Sequence, residues 1–286
     1  MQLFIDKAML SAFEKSIEYY VEGKAEIGLA EVAQIALITR LFNLLNDINL
    51  LLERKRFTSG YALMRTAFEI QVYLSYIFQD SRYRDRRSKA YFYSDYQKFV
   101  YYLKHADETS FMDRDEMLRQ INTNKSELGK YESVNDYFNT YRKNFKSCLT
   151  SQKGPVPGLE YQNLSADDEF KEFRIDKRKW YNDDGKTSNF LALVQRLGLV
   201  DEYAALYVPT SDSVHSDGLR RNLTIEEGEL AFVELFEPSK LAFFRVNILK
   251  TIEFLEKATA DNTMRRKIKH ERTIAGNAFL INYNHN

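Results

Sequence analysis

Proline and glycine are scarce in this chain, with four and 11 copies among 286 residues. That scarcity limits what it can fold into more than any other feature. Proline removes a backbone donor and obstructs helix interiors, and glycine marks turns, so a chain poor in both favours long helices. No segment shows sustained period-two alternation closed by hairpin turns, so no sheet is expected. The prediction is an all-α fold, a single helical domain over residues 1–286 with long antiparallel helices at its centre and shorter ones around them. The clearest loop is the segment 147–165, which holds Gly154, Pro155, Pro157 and Gly158. Composition does not shift across it, so it reads as an excursion within one domain.

The helices expected from apolar spacing are Gln2–Val21, Glu26–Arg54, Tyr61–Phe78, Arg82–His105, Asp113–Lys125 and Val134–Lys146. They continue with Asp167–Trp180, Ser188–Leu197, Glu226–Lys257 and Thr263–Ile281. In the second, Leu37, Leu41, Leu44, Leu45, Ile48, Leu51 and Leu52 recur at three- and four-residue spacing, with Arg40, Asn43, Asp47 and Arg54 on the opposite face. Ser59-Gly60 is read as the turn into the third helix, which should pack on the second as an antiparallel hairpin. The stretch Ile35–Leu52 is the most apolar in the chain, yet Arg40, Asn43, Asn46, Asp47 and Asn49 interrupt the roughly 20 apolar residues a membrane span needs. No membrane role is expected. The first residues lack a secretory signal pattern, so the expected location is cytoplasmic.

Lysine and arginine total 41, balanced by 41 acidic residues, which argues against a dedicated nucleic-acid coat. The one cysteine, Cys148, rules out an internal disulfide and fits a reducing compartment. Metal binding is not expected, because the four histidines have no helical ligand spacing and Glu-x-x-His does not occur. No Walker loop or Rossmann fingerprint is present, so no cofactor is expected.

Two polar groups stand out. Arg65 and Glu69 lie four apart amid Ala62, Leu63, Phe68, Ile70, Val72 and Leu74, so they can form an ion pair on one face of a largely buried helix. Such a pair needs compensating partners when buried, and by itself it reads as a structural tie between helices. Further on, Ser211 and His215 share a helical face if the stretch around Pro209 is helical, with Tyr207 one turn earlier. Histidine suits proton transfer near neutral pH, and a neighbouring serine can attack or fix the imidazole tautomer. The simpler account of His215 is a helix-end cap.

The segment Trp180-Tyr181-Asn182-Asp183-Asp184-Gly185-Lys186, then Leu197-Gly198-Leu199, Tyr203, Tyr207, Ser211 and His215, resembles the C-terminal part of the bacterial all-helical domain-of-unknown-function family fifty-six seventy-seven. That family also has an Arg-x-x-x-Glu on an early buried helix, matched here by Arg65 and Glu69. The similarity covers roughly Leu29 to Leu255. Ser216 and Asp217 depart from it, standing where a small residue or proline is expected. The family carries no settled activity. The resemblance implies that Arg65, Glu69, Ser211 and His215 meet in one pocket, with Tyr207, Trp180 and Lys186 as ligand-binding positions.

The last helix carries Arg265 and His270, a spacing that resembles the HEPN helical ribonucleases. A solvated basic surface is the simpler account. Basic clusters at Arg82–Lys89, Arg174–Lys179 and Arg265–Arg272, with tyrosines nearby, would suit RNA or a nucleotide as ligand, although acidic residues interleave most of them. Two functions follow: a metal-independent nuclease-like effector using the Arg/Glu/Ser/His pocket, or a non-catalytic helical binding module in a bacterial defence or stress system. Long apolar helices are compatible with a homodimer and equally with a buried central helix.

Overall fold

The computed structural model describes residues 4–95, 97, 114–124, 130–149, 179–209, 223–226, 229–232 and 239–284. Helices make up these residues almost throughout, as the scarcity of breakers requires. They are α1 (Lys7–Glu22), α2 (Leu29–Glu53), α3 (Phe57–Phe78), α4 (Arg84–Tyr93), α5 (Arg114–Asn124), α6 (Val134–Cys148), α7 (Phe190–Leu197), α8 (Val200–Glu202), α9 (Ser239–Ala258) and α10 (Asn262–Asn284). A π-helical turn, Tyr203–Tyr207, continues α8.

The chain groups into two compact units. The first holds residues 1–27, 34–79 and 197–286, and the second residues 28–33 and 80–196. In the first unit α1 lies antiparallel to α2. Asn49 bonds the backbone of Ile5 through both its amide atoms at 3.0 Å, Phe13 meets Phe42 edge-on, and the Tyr20 hydroxyl donates to Gln34 at 2.7 Å. Helix α10 runs back along α1, where Gly23 sits against Met264 and Lys267 lies over the Tyr19 ring. A Cβ on Gly23 would lie 3.0 Å from Thr259 and 3.1 Å from Met264, so a side chain there would have to push the α9–α10 turn away by a few tenths of an ångström. Helices α3 and α9 run parallel, matched by Phe68 with Phe243 and by Phe78 stacked on Phe254 at 5.1 Å.

Helix α2 is the one described helix long and apolar enough to cross a membrane by length and composition. Its Leu37, Ile38, Leu41, Leu45, Ile48 and Leu52 are buried in the protein, while Arg40, Asn43 and Asp47 face solvent. The stripe read from the sequence is therefore a core face.

The first helix starts where its cap dictates. The Asp6 carboxylate accepts from the Ala8 amide at 2.7 Å, filling one of the donors left open at a helix start. Asp6→Ala should lower the stability of the protein by about 1 kcal/mol in urea denaturation. An unchanged midpoint would mean that solvent replaces the cap at no cost.

In the second unit, α4 and α5 both pack on α6. Phe92 and Tyr93 contact Tyr141 at 5.8 and 5.4 Å, and Asn122 pairs with the backbone of Tyr131 at 2.8 and 3.1 Å. Ser133 caps α6 by accepting from the Asp136 amide. Tyr137, Tyr141, Phe138 and Phe145 are fully buried, so tyrosines here fill the core rather than its margins.

Two expectations are corrected. Ser59-Gly60 is not a turn, because α3 already begins at Phe57 and the reversal falls at Arg54–Arg56. Lys55 takes the left-handed conformation there (φ 55°), a role the sequence offered no glycine for. Glu226–Lys257 is not one helix. Strands β1 (Leu223–Glu226) and β2 (Glu229–Phe232) pair antiparallel, with Leu223 opposite Phe232 and Glu226 opposite Glu229, and α9 begins only at Ser239. Strands of four residues are too short for alternation to register as a pattern. The helix expected over Asp167–Trp180 and the loop beyond Leu149 lie outside the described residues, save for the end at Lys179-Trp180.

Candidate functional site

In the first unit, α3 presents one half-buried polar face beside a buried one. Met64, Ala67, Phe68 and Gln71 are buried, while Arg65 and Glu69 have side-chain exposures of 22% and 31%. The pair is thus more open than its apolar neighbours in sequence implied. Arg65 Nε lies 3.5 Å from Glu69 Oε1, as the four-residue spacing on a helix allows.

The third member comes from 142 residues away. Arg65 Nη2 donates to the Tyr207 hydroxyl at 2.9 Å, and the guanidinium lies 4.6 Å from the centre of the Tyr207 ring. Tyr207 closes the π-helical turn, in which the Val208 amide bonds the Tyr203 carbonyl. The widened turn stacks the rings of Tyr203 and Tyr207 at 4.8 Å and 16°. Such turns are uncommon and often mark functional positions. Both rings lean on Phe68, at 6.5 and 6.2 Å, and Phe243 of α9 meets the same ring at 5.4 Å.

Burial pushes the Tyr207 phenol above its ordinary value. The Arg65 hydrogen bond opposes that shift, and the neighbouring Glu69 carboxylate adds to it. Tyr207 therefore keeps its proton at neutral pH while accepting from Arg65. One turn before Arg65, the Lys240 ammonium of α9 lies 4.4 Å from the Tyr61 ring centre. The structure thus brings together Arg65, Glu69 and Tyr207, and sets Lys240 over Tyr61 one turn away along α3, a residue that spacing arguments missed. Ser211 and His215 lie outside the described residues.

Trp180 and Lys186 belong to the second unit. Trp180 is 6% exposed and meets Tyr91 and Tyr181 edge-on at 5.1 and 5.5 Å. Lys186 is exposed, and its backbone amide donates to Asp184. Gly185 between them takes φ 73°, which lets Asp184 accept from the amides of Lys186 and Thr187 and from the Thr187 hydroxyl. Burial opposes the Asp184 charge, but those hydrogen bonds and Arg196 outweigh it and lower its carboxyl below the usual range.

Asp183 next to it is the hub of this unit. Its carboxylate, 8% exposed, meets Arg196 at 2.7 Å, Arg87 at 3.4 Å and Arg86 at 3.7 Å. Carboxylates engage the arginines of the basic cluster Arg82–Lys89, within which Arg82 and Lys89 stay exposed. Arg82 pairs with Asp80 and Arg84 with Asp85, and Arg86 and Arg87 converge on Asp183.

On α10, Arg265 and His270 are both exposed. Five positions apart, they project about 140° from each other around the helix, so they do not share a face. Among the described residues no group of three or more His, Cys, Asp or Glu could hold a metal ion.

A model of a family of unknown function, DUF5677, matches residues 31–230, a span that takes in Arg65, Glu69, the Asp183 hub and Tyr207. The HEPN likeness has no counterpart in this match. No curated protein and no solved structure matches the chain.

Proposed function

The chain belongs to the DUF5677 family, whose function is unknown, and on that premise we propose that it cleaves RNA without a metal ion at a site built on Arg65. The observation that carries this reading is the Arg65–Tyr207 hydrogen bond. It fixes a guanidinium, which can bind a phosphate, to the helical turn that leads directly to Ser211 and His215. An extended chain spans at most about 3.6 Å per residue, so Ser211 lies within about 14 Å of Tyr207 and His215 within about 29 Å.

In this mechanism the Arg65 guanidinium binds the non-bridging oxygens and stabilises the charge that grows on them. His215 takes the proton of the ribose 2′-hydroxyl as that oxygen bonds to phosphorus. The bond from phosphorus to the 5′-oxygen breaks, and the imidazolium returns the proton to that oxygen. Glu69 and Tyr207 hold the guanidinium in place, and Ser211 orients the imidazole. The buried lone thiol of Cys148 suits a reducing setting, and we place the protein in the cytoplasm.

One observation favours a second reading, a non-catalytic binding module. Arg65 already pairs with Glu69 and with Tyr207, as it would in a purely structural network.

Purified protein incubated with single-stranded RNA and excess chelator separates the two readings. Cleavage should persist in chelator, fall by about 10²–10⁴-fold in His215→Ala, and survive in His270→Ala. Loss confined to His270→Ala would move the site to α10. RNA left intact by the wild type but retained in a binding assay would favour the module.

A further inference from the structure

We propose that the exposed face of α10 is a docking surface for the phosphate backbone of an RNA strand, separate from the Arg65 site and without a part in the chemistry. The choice of RNA rests on the reading above; the cationic face does not.

Arg265, Arg266, Lys269 and His270 all lie exposed in the first half of α10. With 3.6 residues per turn, Lys269 and Arg266 fill the arc of about 140° between Arg265 and His270. Exposed Thr273 and Asn277 continue that arc toward the helix end. No carboxylate of α10 interrupts it, because Glu271, the one acidic residue of the helix, is buried. Asp261, just before the helix, accepts from the Met264 amide at 2.8 Å. The flanking cations have partners. Arg272 is held by Glu256 and Glu253 of α9 at 3.2 and 3.8 Å, and Lys267 lies 4.9 Å from the Tyr19 ring centre. Among the described residues, the side chains of Arg265, Arg266 and Lys269 stand in no ion pair or hydrogen bond.

That arrangement is unfavourable for the helix alone. Lys269 is four residues from Arg265 and three from Arg266, the spacings at which like charges on a helix repel. Both arginines also stand near the positive end of the helix dipole. Phosphates laid along the arc reverse each effect. A lipid surface fits less well. The apolar side of α10, with Ile268, Ala275 and Ala278, is buried in the protein, and exposed Leu280 lies about 15 Å along the axis from His270. The cationic arc therefore has no apolar stripe beside it to enter a membrane. It is also apart from the Arg65 site. The Arg272–Glu256 pair sets it level with the end of α9, about 20 Å along that helix from Phe243.

The test is the salt dependence of binding to a fluorescein-labelled, 2′-O-methyl single-stranded RNA, which resists cleavage. The variant combines Arg265→Gln, Arg266→Gln and Lys269→Gln, and glutamine forms helix about as well as the residues it replaces. For single strands each phosphate contact contributes about 0.7 to the slope of log affinity against log salt. The triple variant's slope should be shallower by about 2.1, and each single variant's by about 0.7. With ordinary RNA the triple variant should show a raised KM and the wild-type kcat, since the face binds and does not react. An unchanged slope overturns the docking face, and leaves the Arg65 reading standing where the wild type cleaves. A shallower slope beside RNA that the wild type leaves intact overturns cleavage and supports the docking face. Wild-type protein that sediments with phosphatidylserine vesicles, when the triple variant does not and its RNA slope is unchanged, overturns RNA as the partner in favour of a membrane.

Discussion

Asp183→Asn should destabilise the second unit by about 3 kcal/mol, at the lower end of the 3–5 kcal/mol that follows when one partner of a buried ion pair is removed. The substitution keeps the shape of the side chain and deletes only its charge. What remains is Arg87, 5% exposed at the side chain, with Arg86 and Arg196 converging on a neutral amide. Arg86 and Arg196 are each 26% exposed, so water screens part of their mutual repulsion and holds the effect at the low end. Arg87 has little water to turn to. Glu69→Gln, at a half-exposed pair, should by contrast shift stability by less than about 1 kcal/mol. Urea denaturation followed by circular dichroism measures both. A loss below about 1 kcal/mol for Asp183→Asn would show that the three arginines are held by other groups and that the hub is dispensable.

That hub also marks where reading the sequence reaches its limit. The cluster Arg82–Lys89 stands out as basic in the sequence, but the carboxylates that engage its arginines do not. Its counter-charge at Asp183 lies 96 residues from Arg87, and no local spacing rule links positions so far apart. The Arg65–Glu69 pair was legible for the opposite reason, because four residues on a helix place two side chains on one face. Tyr207 entered the reading by its place one turn before Ser211; its contact with Arg65, 142 residues away, could not come from spacing. The π-helical turn was invisible, since Tyr203-Ala204-Ala205-Leu206-Tyr207 reads like any helical stretch, and the ring packing on Phe68 that goes with it involves residues far apart in sequence. The apolar stripe of α2 was legible because 25 residues repeat the same period many times over. The hairpin was not, because each strand lasts four residues.

Phe68→Ala should cost about 3–5 kcal/mol, the range for truncating a buried phenylalanine, and should weaken the Arg65 site without touching any of its polar atoms. The ring is fully buried and is the shared contact of Tyr203, Tyr207 and Phe243, so one side chain holds both the π-helical turn and α9 against α3. Emptying its volume removes the surface on which Tyr207 is set. Arg65 then loses the neighbour that fixes its guanidinium, although Glu69 remains one turn away. A packing role alone predicts that stability falls and that folded Phe68→Ala binds RNA as the wild type does. Coupling of the rings to the Arg65 site predicts weaker binding in the folded fraction, and non-additive losses when Phe68→Ala is combined with Tyr207→Phe. Binding measured at low temperature, where the variant remains folded, distinguishes the two. Wild-type affinity there would mean that Arg65 keeps its position without the rings, and that the aromatic cluster serves the fold and not the site.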